Sequence, residues 1–351
     1  VDKFAQLTWE PKSKLLFGLN EDGERINSPP SLILQDELHL ITGPLGSMCG
    51  LYEVIVEELC TEKRFNKNTK PKIICSTATI RSYERQVKDL YNRNNVRLFP
   101  PLGLDIADNF FAIYKKEENS DEFKNPKKYI GLLTPNYKSQ QTAQVRIYSR
   151  LLYSVTKLKK EDQDPWYTLM NFFGSLRELG NTTTLIQVDI KERIKDLRKR
   201  YGDDYKDMRT INNVLELTSR ISSEKIPSSI DKLEISVDPD KKNYPIDICL
   251  ASNIIEVGID IDRLSLLTIL GQPKTTSSYI QVSGRIGRNW QERPGIVCTL
   301  YGYMRPRDKS HFEKFKSYHQ KLYAQVEPMS VTPFASPVLT RALHGILVAY
   351  V

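Results

Sequence analysis

Short apolar runs that stop abruptly at polar side chains recur along this chain, and the stretches between them carry apolar residues at helical spacing. Ser31-Leu32-Ile33-Leu34 ends on Gln35-Asp36-Glu37-Leu38-His39, Ile73-Ile74-Cys75 on Ser76-Thr77-Ala78-Thr79, and Ile246 to Ala251 on Ser252-Asn253. A central parallel strand is buried on both faces and needs such an unbroken run, and its carboxyl end is where an open α/β sheet places ligands. Between the runs, Met48, Leu51, Ile55 and Leu59 fit a helix that Ser47 could cap, and Val87, Leu90 and Tyr91 one capped by Ser82. Val145, Tyr148, Leu152 and Val155 mark a third helix, and Ile190, Ile194, Leu197 and Tyr201 a fourth with a crowded basic surface read as solvated. Further strands are expected at Trp166 to Phe173, before a helix starting at Leu176, and at Leu264 to Leu270 and Gly295 to Leu300. This rhythm predicts an α/β chain of parallel sheets.

At 351 residues the chain exceeds one ordinary core and suits two domains. The polar, charged segment from Lys115 to Lys128 divides it. The expected organisation is a first domain at 1–114, a linker at 115–128, a second domain at 129–305 and a mostly helical C-terminal extension at 306–351. No apolar run approaches the ~20 residues of a membrane span, and Val1-Asp2-Lys3-Phe4 is no secretion signal, so a cytoplasmic protein with no membrane partner is expected. The five cysteines are scattered without a C-x-x-C pair, which points to buried thiols. His311 and His319 lack a ligand pattern and read as surface residues. A formal charge of +8 favours an anionic partner such as nucleic acid.

The chemistry lies at the ends of the runs. Adjacent acids at a strand's carboxyl end suit metal-nucleotide hydrolysis, with Asp36 holding Mg²⁺ and Glu37 orienting or deprotonating the attacking water. Small hydroxyls at Ser76 to Thr79 can bond neighbouring catalytic groups without filling a cleft. Gly43-Pro44-Leu45-Gly46-Ser47-Met48 is not a phosphate loop, because it lacks the G-K-[ST] ending. Gln281-Val282-Ser283-Gly284-Arg285-Ile286-Gly287-Arg288 sets two arginines three residues apart among glycines, a fork that could meet a polyanion from a helix start.

Four of these segments, in order, resemble the motif set of superfamily 2 DExH-type helicases. Asp36-Glu37-Leu38-His39 is similar to the DExH box, Ser76 to Thr79 to the S-A-T motif, Ser252 to Asp260 to T-N-x-x-x-x-G-x-D, and Gln281 to Arg288 to Q-x-x-G-R-x-G-R. The wording around them looks most similar to the large helicase subunit of DISARM-type bacterial anti-phage systems. The resemblance covers roughly residues 1–305 and implies two RecA-like domains, ATP and Mg²⁺ as cofactors, and a nucleic-acid partner, DNA more than RNA, with other defence-complex subunits.

Residue by residue, the resemblance implies that Asp36 holds the metal, Glu37 positions water, His39 couples the site to nucleic-acid binding, and Ser76 and Thr79 relay between the domains. Ser252 and Asn253 would touch the nucleic acid, Gly258, Asp260 and Gln281 the nucleotide, and Arg285 and Arg288 its phosphates. Ser252 departs from the usual Thr but keeps the hydroxyl, and Val257 replaces a commoner polar residue. The larger departure is that no G-K-[ST] loop precedes Asp36. The expectation is a first RecA-like domain truncated at its N-terminus, so that the parent protein is an ATP-driven motor while this chain alone hydrolyses ATP poorly or not at all. The competing expectation is a nucleic-acid-binding or scaffold module that keeps the fold without catalysis.

Overall fold

The computed structural model describes residues 28–62, 68–77, 82–101, 104, 110–111, 113, 127–135, 139–204, 209–237, 244–252, 261–289, 293–327 and 330–350. These form two compact units, one drawn from Val1–Leu104 with Val326–Val351 and the other from Asp105–Gln325.

In the first unit, strands β1 (Leu32–Gln35) and β2 (Lys72–Cys75) pair in parallel, with Gln35 opposite Cys75. Helix α1 (Gly43–Cys60) follows β1, and helix α2 (Tyr83–Tyr91) follows β2. Leu38, Leu90, Tyr91 and Val331 bury between these elements, with Ile73, Cys75 and Val87 against them. The helix after β1 starts at Gly43, with Pro44 in its first turn, so Ser47 lies inside it and is no cap. Ser47 Oγ instead accepts from Thr332 N at 2.9 Å. Gly46 is required by packing: a Cβ there would lie 2.7 Å from the Ile41 carbonyl carbon and oxygen. Ser82 does precede α2, but its side chain makes no capping bond.

The C-terminal helix Ser336–Tyr350 belongs to this first unit. Val338, Ala342 and Ile346, at helical spacing, bury with Leu51 of α1. Residues 306–351 are therefore not one extension: Val326–Val351 return to the first unit, where the apolar stripe of the C-terminal helix packs on α1.

The second unit is a six-stranded, all-parallel sheet in the order β3-β8-β7-β4-β6-β5. In chain order its elements are β3 (Lys127–Leu133), α3 (Gln140–Val155), β4 (Leu169–Phe173), α4 (Leu176–Leu185), α5 (Lys191–Tyr201), β5 (Val214–Leu217) and α6 (Ile226–Glu234). β6 (Ile248–Ala251), β7 (Leu266–Leu270), α7 (Thr276–Gly284), β8 (Gly295–Tyr301), α8 (Pro306–Glu313) and α9 (Phe315–Gln320) complete it.

Every residue of β4, β6 and β7 is buried, as their largely apolar runs require, with Asn171 of β4 and Thr268 of β7 as the polar exceptions. Alternate residues feed two cores. Met170, Phe172, Leu267 and Ile269 meet Tyr279 and Val282 of α7 on one face. Leu169, Phe173, Leu266 and Leu270 meet Tyr148 and Leu152 of α3 and Ile194 of α5 on the other. Truncating one such Leu to Ala costs ~2–5 kcal/mol in well-packed cores. Asn171, fully buried mid-strand, is satisfied by donating to Leu169 O at 3.0 Å and Cys249 O at 3.3 Å and by its contact with Thr268 Oγ1.

The expected strand from Trp166 begins only at Leu169. Pro165, with its fixed φ, opens a helical turn at Asp164–Tyr167 instead. α4 and α5 form one helical stretch joined by a π turn at Ile186–Ile190, and Tyr201 is half exposed at its end while Ile190, Ile194 and Leu197 are buried. His319 is not a simple surface residue: its ring stacks 4.1 Å from Phe315, and its Nε2 lies 3.0 Å from the Tyr279 hydroxyl. Among the described residues the cysteines are free, with Cys60, Cys249 and Cys298 buried and Cys49 and Cys75 partly so. No described helix is long and apolar enough to cross a membrane.

Candidate functional site

In the first unit the site follows from strand register. Because Gln35 pairs with Cys75, the next residues, Asp36 and Ser76, leave the same carboxyl edge together. Ser76 Oγ donates to Asp36 Oδ1, and Glu37 N donates to the same oxygen at 2.8 Å. Both bonds favour the ionised carboxylate. The Ser76 bond first, the Glu37 amide next and the nearby His39 least hold Asp36 below the ordinary carboxylate range, against a smaller burial effect. Asp36 is exposed, so it offers an ionised, hard oxygen donor at the sheet edge.

Glu37 adopts left-handed backbone angles, φ 52° and ψ 45°, which cost a non-glycine residue of order 1 kcal/mol and persist only when neighbours enforce them. Here they do. Leu38 N donates to Ser76 O at 3.0 Å, and Ser76 N to Gln35 O at 2.9 Å. Gln86, buried on α2, donates to Leu38 O at 3.2 Å and Ile41 O at 3.0 Å. The result turns the Glu37 carboxylate toward His39, whose Nδ1 lies 3.3 Å from Glu37 Oε2 and 3.3 Å from Thr77 Oγ1. His39 is buried. The hydroxyl motif therefore acts through Ser76 on Asp36 and through Thr77 on His39. Thr77 was read only as part of the Ser76–Thr79 hydroxyl segment, without a role of its own, and Gln86 was missed, though it left a trace as a polar residue beside the apolar stripe of α2. Thr79 lies outside the described residues.

In the second unit Thr275 caps α7, accepting from Ser278 N at 3.2 Å. Gln281 falls in the last turns of that helix, and Arg285 occupies its C-cap. Gly287 then takes φ 64° and donates its N–H to Leu264 O at 2.8 Å, which turns the chain into Arg288. The fork is thus at a helix end and not at a helix start, a correction with a physical consequence. The C-terminal dipole favours the guanidinium charges but repels an anion, so any anion binding rests on the arginines themselves. Arg285, Arg288 and Gln281 are partly buried.

Ser252 follows β6 at the carboxyl edge, buried, with its N–H on Leu217 O at 3.2 Å. Gly287, bonded to Leu264 just before β7, lies at the opposite, amino edge. The two motifs are separated by a strand length, ~16 Å for five residues. The structure therefore does not bring Ser252 to the fork. Asn253, Gly258 and Asp260 lie outside the described residues. No cluster of three or more His, Cys, Asp or Glu suited to a metal occurs among the described residues.

Residues 174–289, from the end of β4 through the fork, match the helicase conserved C-terminal domain. With the parallel RecA-like sheet and the four motifs, this puts the chain among relatives of the superfamily 2 helicases, as the motifs implied. More particularly, it is 43% identical over 380 residues to the DISARM protein DrmA of Bacillus paralicheniformis, an alignment covering 99% of this chain and 33% of that protein. Its fold resembles the DUF1998 helicase MrfA bound to DNA and AMPPNP, with TM-score 0.58, 16% identity, and 91% of this chain and 37% of that one covered. It also resembles the Mycobacterium smegmatis helicase Lhr bound to ssDNA and AMP-PNP, with TM-score 0.57, 14% identity, and 98% and 36% covered. The chain spans about a third of the length of these proteins.

Proposed function

We propose that the protein carrying this chain is an ATP-dependent nucleic-acid helicase or translocase, acting on DNA in anti-phage defence together with other subunits. The observation that carries this reading is the Asp36-Glu37-His39 turn, in which Ser76 and the Glu37 amide hold Asp36 ionised while His39 ties Glu37 to Thr77.

Support for a magnesium ion here comes from Asp36: among the described residues its two donors both reach Oδ1, which favours Oδ2 as the oxygen that would meet a cation. Such an ion, bound with water and nucleotide oxygens, would neutralise phosphate charge. Glu37 orients a water and accepts its proton, with His39 fixing the carboxylate. Arg285 and Arg288 supply positive charge to phosphate oxygens, a contribution worth ~10³–10⁵ in rate for arginine fingers. Ser252, at the carboxyl edge of the second sheet, and Asn253 serve the nucleic acid, whose binding the chain's +8 charge assists. Support for DNA comes from the two structural neighbours, each bound to DNA.

The test is Glu37→Gln in the full-length protein. ATP turnover in the presence of single-stranded DNA should fall at least ~100-fold while DNA binding is retained. Turnover near that of the parent would remove Glu37 from its role, and a parent protein that binds DNA but never hydrolyses ATP would favour the scaffold reading.

A further inference from the structure

Lys127, the first residue of β3, pairs across the sheet with Gly295, the first residue of β8. Gly295 packs so closely on the fork that a Cβ there would lie 3.0 Å from Gly287 Cα, and Arg288 follows directly. Register and close packing thus bring a lysine beside Arg288. Burial, and then the charge of Arg288, hold the Lys127 ammonium down at about 8. Three other cations of this unit have acids beside them: Arg209 has Asp247, Arg263 has Asp164, and Arg305 has Glu178. Among the described residues no carboxylate answers Lys127. A partly buried ammonium that has a guanidinium nearby and no carboxylate of its own is unfavourable as a cation, and an anion bound to it reverses that.

We propose that Lys127 is a second cation of the Arg288 site and that the two together bind a phosphate group. The inference rests on Arg288 being a phosphate contact, as the proposed function has it. A nucleotide and a nucleic-acid backbone offer the same phosphate chemistry, and the experiment separates them.

In the full-length protein, AMP-PNP affinity without nucleic acid and single-stranded DNA affinity without nucleotide are measured for the parent, Lys127→Gln, Lys127→Arg and Arg288→Ala. Lys127→Gln should weaken AMP-PNP about tenfold or more, the worth of one charge-assisted hydrogen bond, with DNA affinity unchanged. Lys127→Arg should restore it. In the parent, AMP-PNP affinity should decline as pH rises from 7.5 to 9.5, because the bound phosphate requires the charged ammonium. Lys127→Arg should show no such decline. Weakened DNA binding in Lys127→Gln, with AMP-PNP intact, would assign the phosphate to the nucleic-acid backbone. Unchanged affinity for both ligands in a Lys127→Gln protein that melts normally overturns the inference, and Arg288→Ala then separates the cases. If it impairs AMP-PNP binding, only Lys127 is misassigned; if it does not, the reading of the fork fails as well.

Discussion

Glu53 sits on α1 one turn from both Cys49 and Glu57, partly buried against the small core of the first unit. Glu57 is committed to Lys70 and to Arg93 at 2.8 Å, and among the described residues no cation pairs with Glu53, which faces the Glu57 charge. Burial first and Glu57 second raise Glu53 from 4.5 to about 7. The folded state therefore binds a proton that the unfolded chain has already released between these values. Its stability falls as pH rises through that window, and the full penalty is present above pH 7. The raw shift corresponds to ~3 kcal/mol at 1.36 kcal/mol per unit. Glu53 keeps some solvent contact, and screening reduces this to ~1–2 kcal/mol. Glu53→Gln removes the penalty while preserving shape. Urea unfolding should show the variant ~1–2 kcal/mol more stable than the parent at pH 8, with the difference vanishing near pH 4.5. A gain of equal size at both pH values would refute the electrostatic reasoning.

Arg209 and Asp247 are both buried, 3.1 Å apart, with Asp247 also accepting from Asn212 N and Asn213 N at 2.9 Å each. Arg209→Ala strands that buried charge and should cost ~3–5 kcal/mol in denaturant unfolding; a loss below ~1 kcal/mol contradicts the burial argument. Ser76→Ala deletes the principal group holding Asp36 low, so Asp36 should move up toward the ordinary carboxylate range. The acid limb of the ATPase pH profile should then shift to higher pH with the alkaline limb unmoved, and an unmoved acid limb would show that Asp36 ionisation does not govern turnover.

Much of the second sheet was legible because its central strands lie between two helical layers and must be largely apolar. β4, β6 and β7 appear as apolar-rich runs for that reason, although Pro165 delayed β4 by opening a helical turn. β5 was not legible: Val214–Leu217 is an edge strand, with only Leu217 fully buried. The acids of the first unit were recognisable from their place after β1, but their partners were not. Ser76 meets Asp36 forty residues away only through the parallel register, and Thr77 rather than Ser76 meets His39. The placement of the fork at a helix end hinged on Gly287, whose left-handed φ and bond to Leu264 no local spacing reveals. Ser47 and the C-terminal helix failed for one shared reason: each is explained by contacts between residues nearly three hundred positions apart.

The central claim is that this chain belongs to an ATP-driven motor on nucleic acid. ATP hydrolysis by the full-length protein, measured with no nucleic acid, with single-stranded DNA and with single-stranded RNA, tests it most directly. Turnover should be stimulated by DNA, less by RNA, and abolished by Arg288→Ala. Hydrolysis absent under all three conditions, or unaffected by Arg288→Ala, would contradict it.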